Sequence, residues 1–345
     1  MSQRIPTSTA PTLEAVAARA GVSRATVSRV VNNSPKVTDE VVALVNAAID
    51  ELGYVPNRAA RSLASRRTQA IALILPESAA KVFDDPFFSN IVQGIALHLA
   101  DTEYTLSLLI ASETASDKTR RYLRGGNVDG ALVVSHHSGD HSYTRLGASI
   151  PLVFGGRPLN PSETDSYFVD ADNVEGGRVA TQHLIDAGRT SIAIISGPGD
   201  MPAGVDRLAG WRTALRGARL DDSLVEHGDF SPQSGAEAMR RLLARGVPID
   251  GLFAANDQMA VGAYSALHEA GLSVPHDVSV VGFDNDKYAP TATPPLTTVN
   301  QSTERMGAKM AEVLIRLIDG DESVPRATRL PAELVVRAST SRRAE

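Results

Sequence analysis

From residue 68 onward, short apolar runs alternate with longer stretches of helical period, and this alternation constrains the fold more than any other feature. Strand-like runs fall at 70–75, 105–110, 130–134, 152–154, 167–169, 191–195, 251–254 and 278–282. Helical patterns lie between most of them, at 88–100, 173–187, 207–216, 235–244, 257–270 and 301–318. Strands alternating with helices indicate parallel sheets of the doubly wound type. About 275 residues are too many for one comfortable sheet, so two similar α/β lobes are expected. With 43% apolar and 21% charged residues, the chain can bury large cores without staples. It has no cysteine, which excludes disulfides and thiolate metal sites and suits a reducing cytoplasm. No apolar run approaches about 18 residues and the first eleven residues carry no signal-peptide core, so neither membrane spanning nor secretion is expected.

The first 67 residues read differently. Leu13, Val16, Ala17 and Ala20 form an apolar stripe at helical spacing, with Thr12 as N-cap and Gly21 as the turn that follows. Ser23 caps a second helix whose inner side is Val27, Val30 and Val31, and residues 32–35 form a loop. Thr38 caps a third helix with Val41, Val45, Ala48 and Leu52 facing inward, ended by Gly53. Two short helices around a glycine turn, braced by a third, make a helix-turn-helix unit. A plain helical bundle is the alternative, and the outer face of the second helix weighs against it. Arg24, Ala25, Thr26, Ser28 and Arg29 offer guanidinium groups for guanine and hydroxyls for phosphate, with no acid among them. Charge agrees: residues 1–67 hold nine Lys/Arg and five Asp/Glu, a balance of +4 in a chain of net charge -6, so the remainder carries -10.

The stretches 12–17 (TLEAVA), 21–32 (GVSRATVSRVVN), 52–57 (LGYVPN) and 60–63 (ARSL) resemble the head of the lactose-repressor (LacI/GalR) family. Body segments resemble it too: 170–173 (DADN) with Gly176 and Gly177, 206–211 (DRLAGW), 255–260 (ANDQMA), 281–284 (VGFD) and 294–299 (PPLTTV). The resemblance implies an all-α helix-turn-helix head over 11–55 and a hinge helix with linker over 56–67. It implies a two-lobed body of type I periplasmic-binding-protein architecture over 68–345, with parallel doubly wound sheets. The near lobe would take about 68–170 and 300–329, the far lobe about 171–299 and 330–345, with chain crossovers near Asp170, Val299 and Leu330. It places Arg24 and Ala25 on base edges in the major groove of double-stranded operator DNA, assisted by Arg29. Thr12, Ser23, Thr26, Ser28 and Asn32 complete the head's DNA-facing set. Asn57, Arg58, Ala60, Arg61 and Leu63 belong to the hinge, with Leu63 wedged into the central minor groove. Segment 57–67 holds four arginines and one large apolar residue, too little to pack a free helix, which fits a helix that folds on DNA.

The same resemblance implies a ligand cleft between the lobes, where strand C-terminal ends meet. Arg207 and Asp284 would hold sugar hydroxyls, Asn256 would do so through its amide, and Phe230 would stack on a sugar face. Asp85, Phe87 and Phe88 would line the near lobe. Gly155 and Gly156 stand where some relatives carry an acid, which opens space beside Arg157 and points to a di- or oligosaccharide. The expected protein is a homodimeric transcription regulator of the cytoplasm, at the nucleoid, without cofactor. Sugar would release it from a palindromic operator; corepression by ligand, as in purine-type relatives, stays open. A sugar carrier of the same body fold would have no DNA head. An enzyme is disfavoured, since the body lacks G-x-G-x-x-G, Walker and G-x-S-x-G signatures. His136, His137 and His141 sit in a Ser/Gly/Asp-rich segment that reads as a solvated loop, not a metal site.

Overall fold

The computed structural model describes residues 11–31, 34–55, 67–110, 116–138, 149–159 and 166–341. Asn32, Asn57, Arg58, Ala60, Arg61, Leu63 and His141 lie outside the described residues. The chain divides into two units, one up to residue 69 and one from residue 70.

In the first unit, helices α1 (Leu13–Ala20), α2 (Arg24–Val31) and α3 (Asp39–Leu52) follow the apolar spacing. The Thr12 hydroxyl accepts from the Ala15 N–H at 3.2 Å, which satisfies one orphan donor of α1. Gly21 ends α1 at φ 66°, a left-handed conformation that costs glycine nothing. Val16, Val27, Val30, Val45, Ala48 and Tyr54 form the core. Thr38 differs from the expectation. It holds the N-cap position of α3 in extended backbone, but its hydroxyl makes no capping bond. Asp39 and Glu40 in the first turn supply the negative charge that the helix N-terminus favours.

The second unit holds two six-stranded sheets. The strands are β1 (Ala70–Leu75), β2 (Thr105–Ile110), β3 (Gly130–Val134), β4 (Leu152–Gly155), β5 (Tyr167–Ala171), β6 (Ile192–Ser196), β7 (Val225–His227), β8 (Gly251–Ala254), β9 (Ser279–Asp284), β10 (Thr297–Asn300), β11 (Ala327–Leu330) and β12 (Glu333–Val335). Near-lobe order is β11-β5-β4-β3-β1-β2 and far-lobe order is β12-β10-β9-β8-β6-β7. Among the described strands, only β12 runs antiparallel to its neighbour. The inner strands β3 and β6 are buried at every residue, as parallel strands covered by helices on both faces must be. The chain passes between the sheets after β5, after β10 and again between β11 and β12.

The covering helices are α4 (Ala79–Asp84), α5 (Pro86–Leu99), α6 (Ser116–Arg124), α7 (Asn173–Asp186), α8 (Pro202–Ala218), α9 (Pro232–Ala244), α10 (Asp257–Glu269) and α11 (Thr303–Ile318). Three pairs cross at glycines, where an added Cβ would strike the partner's backbone: Gly94 and Gly307 between α5 and α11, Gly177 and Gly210 between α7 and α8, Gly235 and Gly262 between α9 and α10. No described helix is long and apolar enough to cross a membrane.

Candidate functional site

On the head, Arg24, Ala25 and Arg29 are exposed along α2, and Thr26 and Ser28 are half-buried. Ser23 and Thr26 serve the helix itself. The Ser23 hydroxyl accepts from the Thr26 N–H at 3.1 Å and lies 2.9 Å from the Thr26 hydroxyl. Thr12 is exposed while it caps α1. The face is less free of acid than α2 alone suggests, because Glu14 of α1 stands 3.0 Å from the Arg24 guanidinium. Both side chains are well exposed, so this contact is weak and separable.

In the body, a cavity opens between the C-terminal ends of the two sheets, where ligand sites of such folds lie, and residues of both lobes line it. Arg207 is its centre. Proline at the first position of α8 starts that helix early, and the glycine crossing of α7 and α8 brings Arg207 beside Asn173. The guanidinium is 4% exposed. Nε donates to Asn173 Oδ1 at 2.9 Å, Nη1 to the Ala255 carbonyl at 2.5 Å and Asp284 at 3.3 Å, and Nη2 to Gln301 Oε1 at 3.2 Å. Its plane lies 3.7 Å over the Phe283 ring, a desolvated cation–π contact. Arg207 is therefore fixed before any ligand arrives.

Asp284 ends β9 at φ 108°, a conformation that costs a non-glycine residue about 1–3 kcal/mol. Its neighbours hold it there. Gln301 Nε2 donates to Asp284 at 2.5 Å, Arg337 Nη2 donates to Asn285 at 2.6 Å, and the Asp286 N–H donates to the fully buried Asp257 at 2.9 Å. Burial pushes the Asp284 carboxyl well above the usual range against the pull of Arg207, and Asp257, Asp286 and Asp85 add to the push. On the near lobe, Asp85 caps α5 by accepting from the Phe87 N–H at 2.9 Å. Burial raises its pKa to about 6. Burial likewise raises Asp170 to about 6.

Phe87 and Phe88 both reach the cavity, edge to face at 5.4 Å, with Phe88 also in the near-lobe core. Phe230 lines the opposite wall and packs on the far-lobe core, so its cleft and core roles coexist. Asn256 lines the cavity, but its amide is already engaged: Nδ2 donates to the Phe230 carbonyl and Oδ1 accepts from the Met259 N–H, each at 2.9 Å. Its main work is to hold Phe230 and cap α10. Arg157 is not on the cavity wall; its guanidinium is turned onto Asp206. The two described histidines of the Ser/Gly/Asp-rich segment are not freely solvated. His136 is buried on the wall, and His137 is held by Asp200 and Glu77. Gln301 and Asn173, which aim Arg207, escaped the sequence reading as site residues. Their position directly after strands at chain crossovers was the available signal.

The walls thus combine aromatic faces with fixed donors and acceptors, and carboxylates outnumber cations. An anionic ligand is disfavoured; a neutral polyhydroxylated one can use both the apolar faces and the paired donor and acceptor.

Residues 12–57 match the family described as bacterial regulatory proteins, lacI family, and residues 181–340 match the periplasmic binding protein-like domain. Over 333 residues the chain is 46% identical to the HTH-type transcriptional regulator CelR of Thermobifida fusca, covering 95% of this chain and 98% of that protein. A solved transcriptional regulator CelR–cellobiose complex has a TM-score of 0.76 and 44% identity, covering 95% of this chain and 99% of the other. The lac repressor dimer bound to operator and the anti-inducer ONPF has a TM-score of 0.84 and 29% identity, covering 96% and 100%.

Proposed function

The chain belongs to the LacI family of bacterial regulatory proteins, and from that membership we infer that its cleft senses a neutral disaccharide of the cellobiose kind, whose binding releases the head from a palindromic operator. It is a DNA-binding transcription regulator. The observation that carries the sugar assignment is the pair Arg207 and Asp284, held ready in a cleft walled by Phe87, Phe88 and Phe230. Asp85 and Asp284 accept from sugar hydroxyls, an Arg207 N–H donates to one, and Phe230 stacks on a ring face. A regulator of a two-fold operator acts as a homodimer, each head presenting Arg24 to the major groove. Leu63 of the hinge enters the minor groove between the half-sites, and the place of action is the cytoplasm. Sugar favours one arrangement of the lobes, and its differential affinity for that arrangement shifts the population off DNA.

The test is a cellobiose titration of the protein–operator complex, run in parallel on Asp284→Ala. Release from the wild type is expected. The variant should bind operator normally but lose about 1.5–3 kcal/mol of sugar affinity, since an acceptor is removed and the buried Arg207 loses a partner. Tighter operator binding on adding cellobiose would indicate corepression, and equal sugar affinity in the variant would remove Asp284 from the site.

A further inference from the structure

Two charge pairs join the lobes along one side of the cleft, and neither lies in the ligand-holding set. The strands β3 and β4 are neighbours in the near-lobe sheet, and the loops that follow them carry His137 and Arg157. Opposite them, the turn after β6 carries Asp200 and the first turns of α8 carry Asp206. Arg157 binds Asp206 with both arms of its guanidinium, Nε to Oδ2 at 2.6 Å and Nη2 to Oδ1 at 2.5 Å. These side chains are only 28% and 11% exposed, so solvent screens them little. His137 Nδ1 lies 2.8 Å from Asp200 Oδ2, and the Ser138 N–H donates to the Asp200 carbonyl at 2.9 Å.

Each near-lobe member is itself braced. The Arg157 N–H donates to Asp170 at 3.0 Å. Glu77 stands 3.7 Å from His137 Nε2 while it accepts from Lys81 at 2.8 Å and from the Ser135 hydroxyl at 2.7 Å. The sequence neighbours of His137, Arg157, Asp200 and Asp206, namely His136, Gly156, Met201 and Arg207, line the cavity. A Cβ on Gly156 would lie 3.7 Å from the His136 ring and 4.0 Å from Pro202 of the far lobe. The lobes therefore come together at the cavity's edge through the two charge pairs.

We propose that Arg157–Asp206 and His137–Asp200 form a clasp that holds the lobes closed, so that these four residues set sugar affinity as positioning residues, through closure and not through contact with the sugar. A ligand that needs the closed cleft gains from every interaction that favours closure, whichever residues make it. The bidentate pair between a guanidinium and a carboxylate also fixes one closed arrangement, which an apolar contact of the same size would not.

The proposal rests on the sugar-sensor reading only for its second readout. The chain has no cysteine, so nitroxide labels placed by Glu103→Cys and Ala244→Cys, exposed sites on the near and far lobes, report the interlobe distance alone. That distance is measured in the otherwise wild-type chain, in Asp200→Asn with Asp206→Asn, and in the reciprocal swap Arg157→Asp with Asp206→Arg. The expected result is a shift of the two-asparagine variant toward long distances, with the swap recovering much of the short population. Cellobiose Kd should rise about tenfold in the two-asparagine variant and return to within about threefold in the swap. Identical distance distributions in the wild type and the two-asparagine variant would overturn the clasp. Absence of cellobiose binding to the wild type would overturn the sugar assignment instead, and the distance measurement, which needs no sugar, would still decide the clasp.

Discussion

The Arg24 side chain, proposed as the reader of a guanine, spends its idle state on a neighbour. Its guanidinium rests on Glu14, 3.0 Å away, at a surface where such a contact is easily given up. Bidentate bonding to guanine O6 and N7 is worth about 1–3 kcal/mol of discrimination, more than an exposed ion pair returns. Arg24→Ala should therefore relax preference at one base pair of each half-site and leave non-specific affinity nearly unchanged. Binding measured against operators substituted at every position checks this. Weakening by one factor on all sequences would make Arg24 a phosphate contact. The identity of Arg24 as an outward residue was legible from the helix period, whereas Glu14 beside it was not, because the contact joins two helices across a turn.

At the scale of elements, the cleft is built from helix starts that apolar spacing alone sets too late. The periods at 88–100, 207–216 and 235–244 belong to helices that begin at Pro86, Pro202 and Pro232. The missing first turns and their caps hold Asp85, Phe87, Met201 and Pro202, and Phe230 directly precedes the Ser231 cap; all five line the cavity. They divide their surface between cleft and core, so they carry little of the buried period; proline at the first helical position was the legible mark. The glycine crossing of α7 and α8 is the second element-level device. Gly210→Ala should overpack it by about 1–3 kcal/mol, since the added methyl meets the Val174 carbonyl and backbone of α7. Both a lower Tm and a weaker sugar Kd are expected, because α8 carries Arg207; an unchanged Tm would show that the crossing can relax.

Across the whole body, lobe contacts and pH are linked through His137. The Glu77 carboxylate, 3.7 Å away, raises its pKa to about 9, against burial and with help from Asp200. Burial would raise Glu77, yet His137, Lys81 and Ser135 outweigh it and bring its pKa down to about 2. A raised histidine pKa stabilises the folded body fully below its ordinary value of 6.5 and loses that effect as pH rises through about 9. The Glu77 contribution is present above 4.5 and fades only as pH falls through about 2. His137→Gln should therefore lower Tm most near pH 6 and converge on the wild type above pH 9, as thermal melts across pH 6–10 would show; a constant Tm difference would exclude the linkage. By itself, the sequence determined the α/β alternation, the three-helix head and the outward face of α2, since local periodicity and turn chemistry suffice for these. Arg207 and Asp284 were readable as cleft residues through family motifs. Only the tertiary structure decided that the Asn256 amide is committed to Phe230, that Arg157 leaves the cavity wall for Asp206, and that His137 joins two lobes. Those roles depend on partners between 26 and 63 residues away in the chain. A hydrogen bond over such a separation is chosen by how the sheets face each other, which no local pattern encodes.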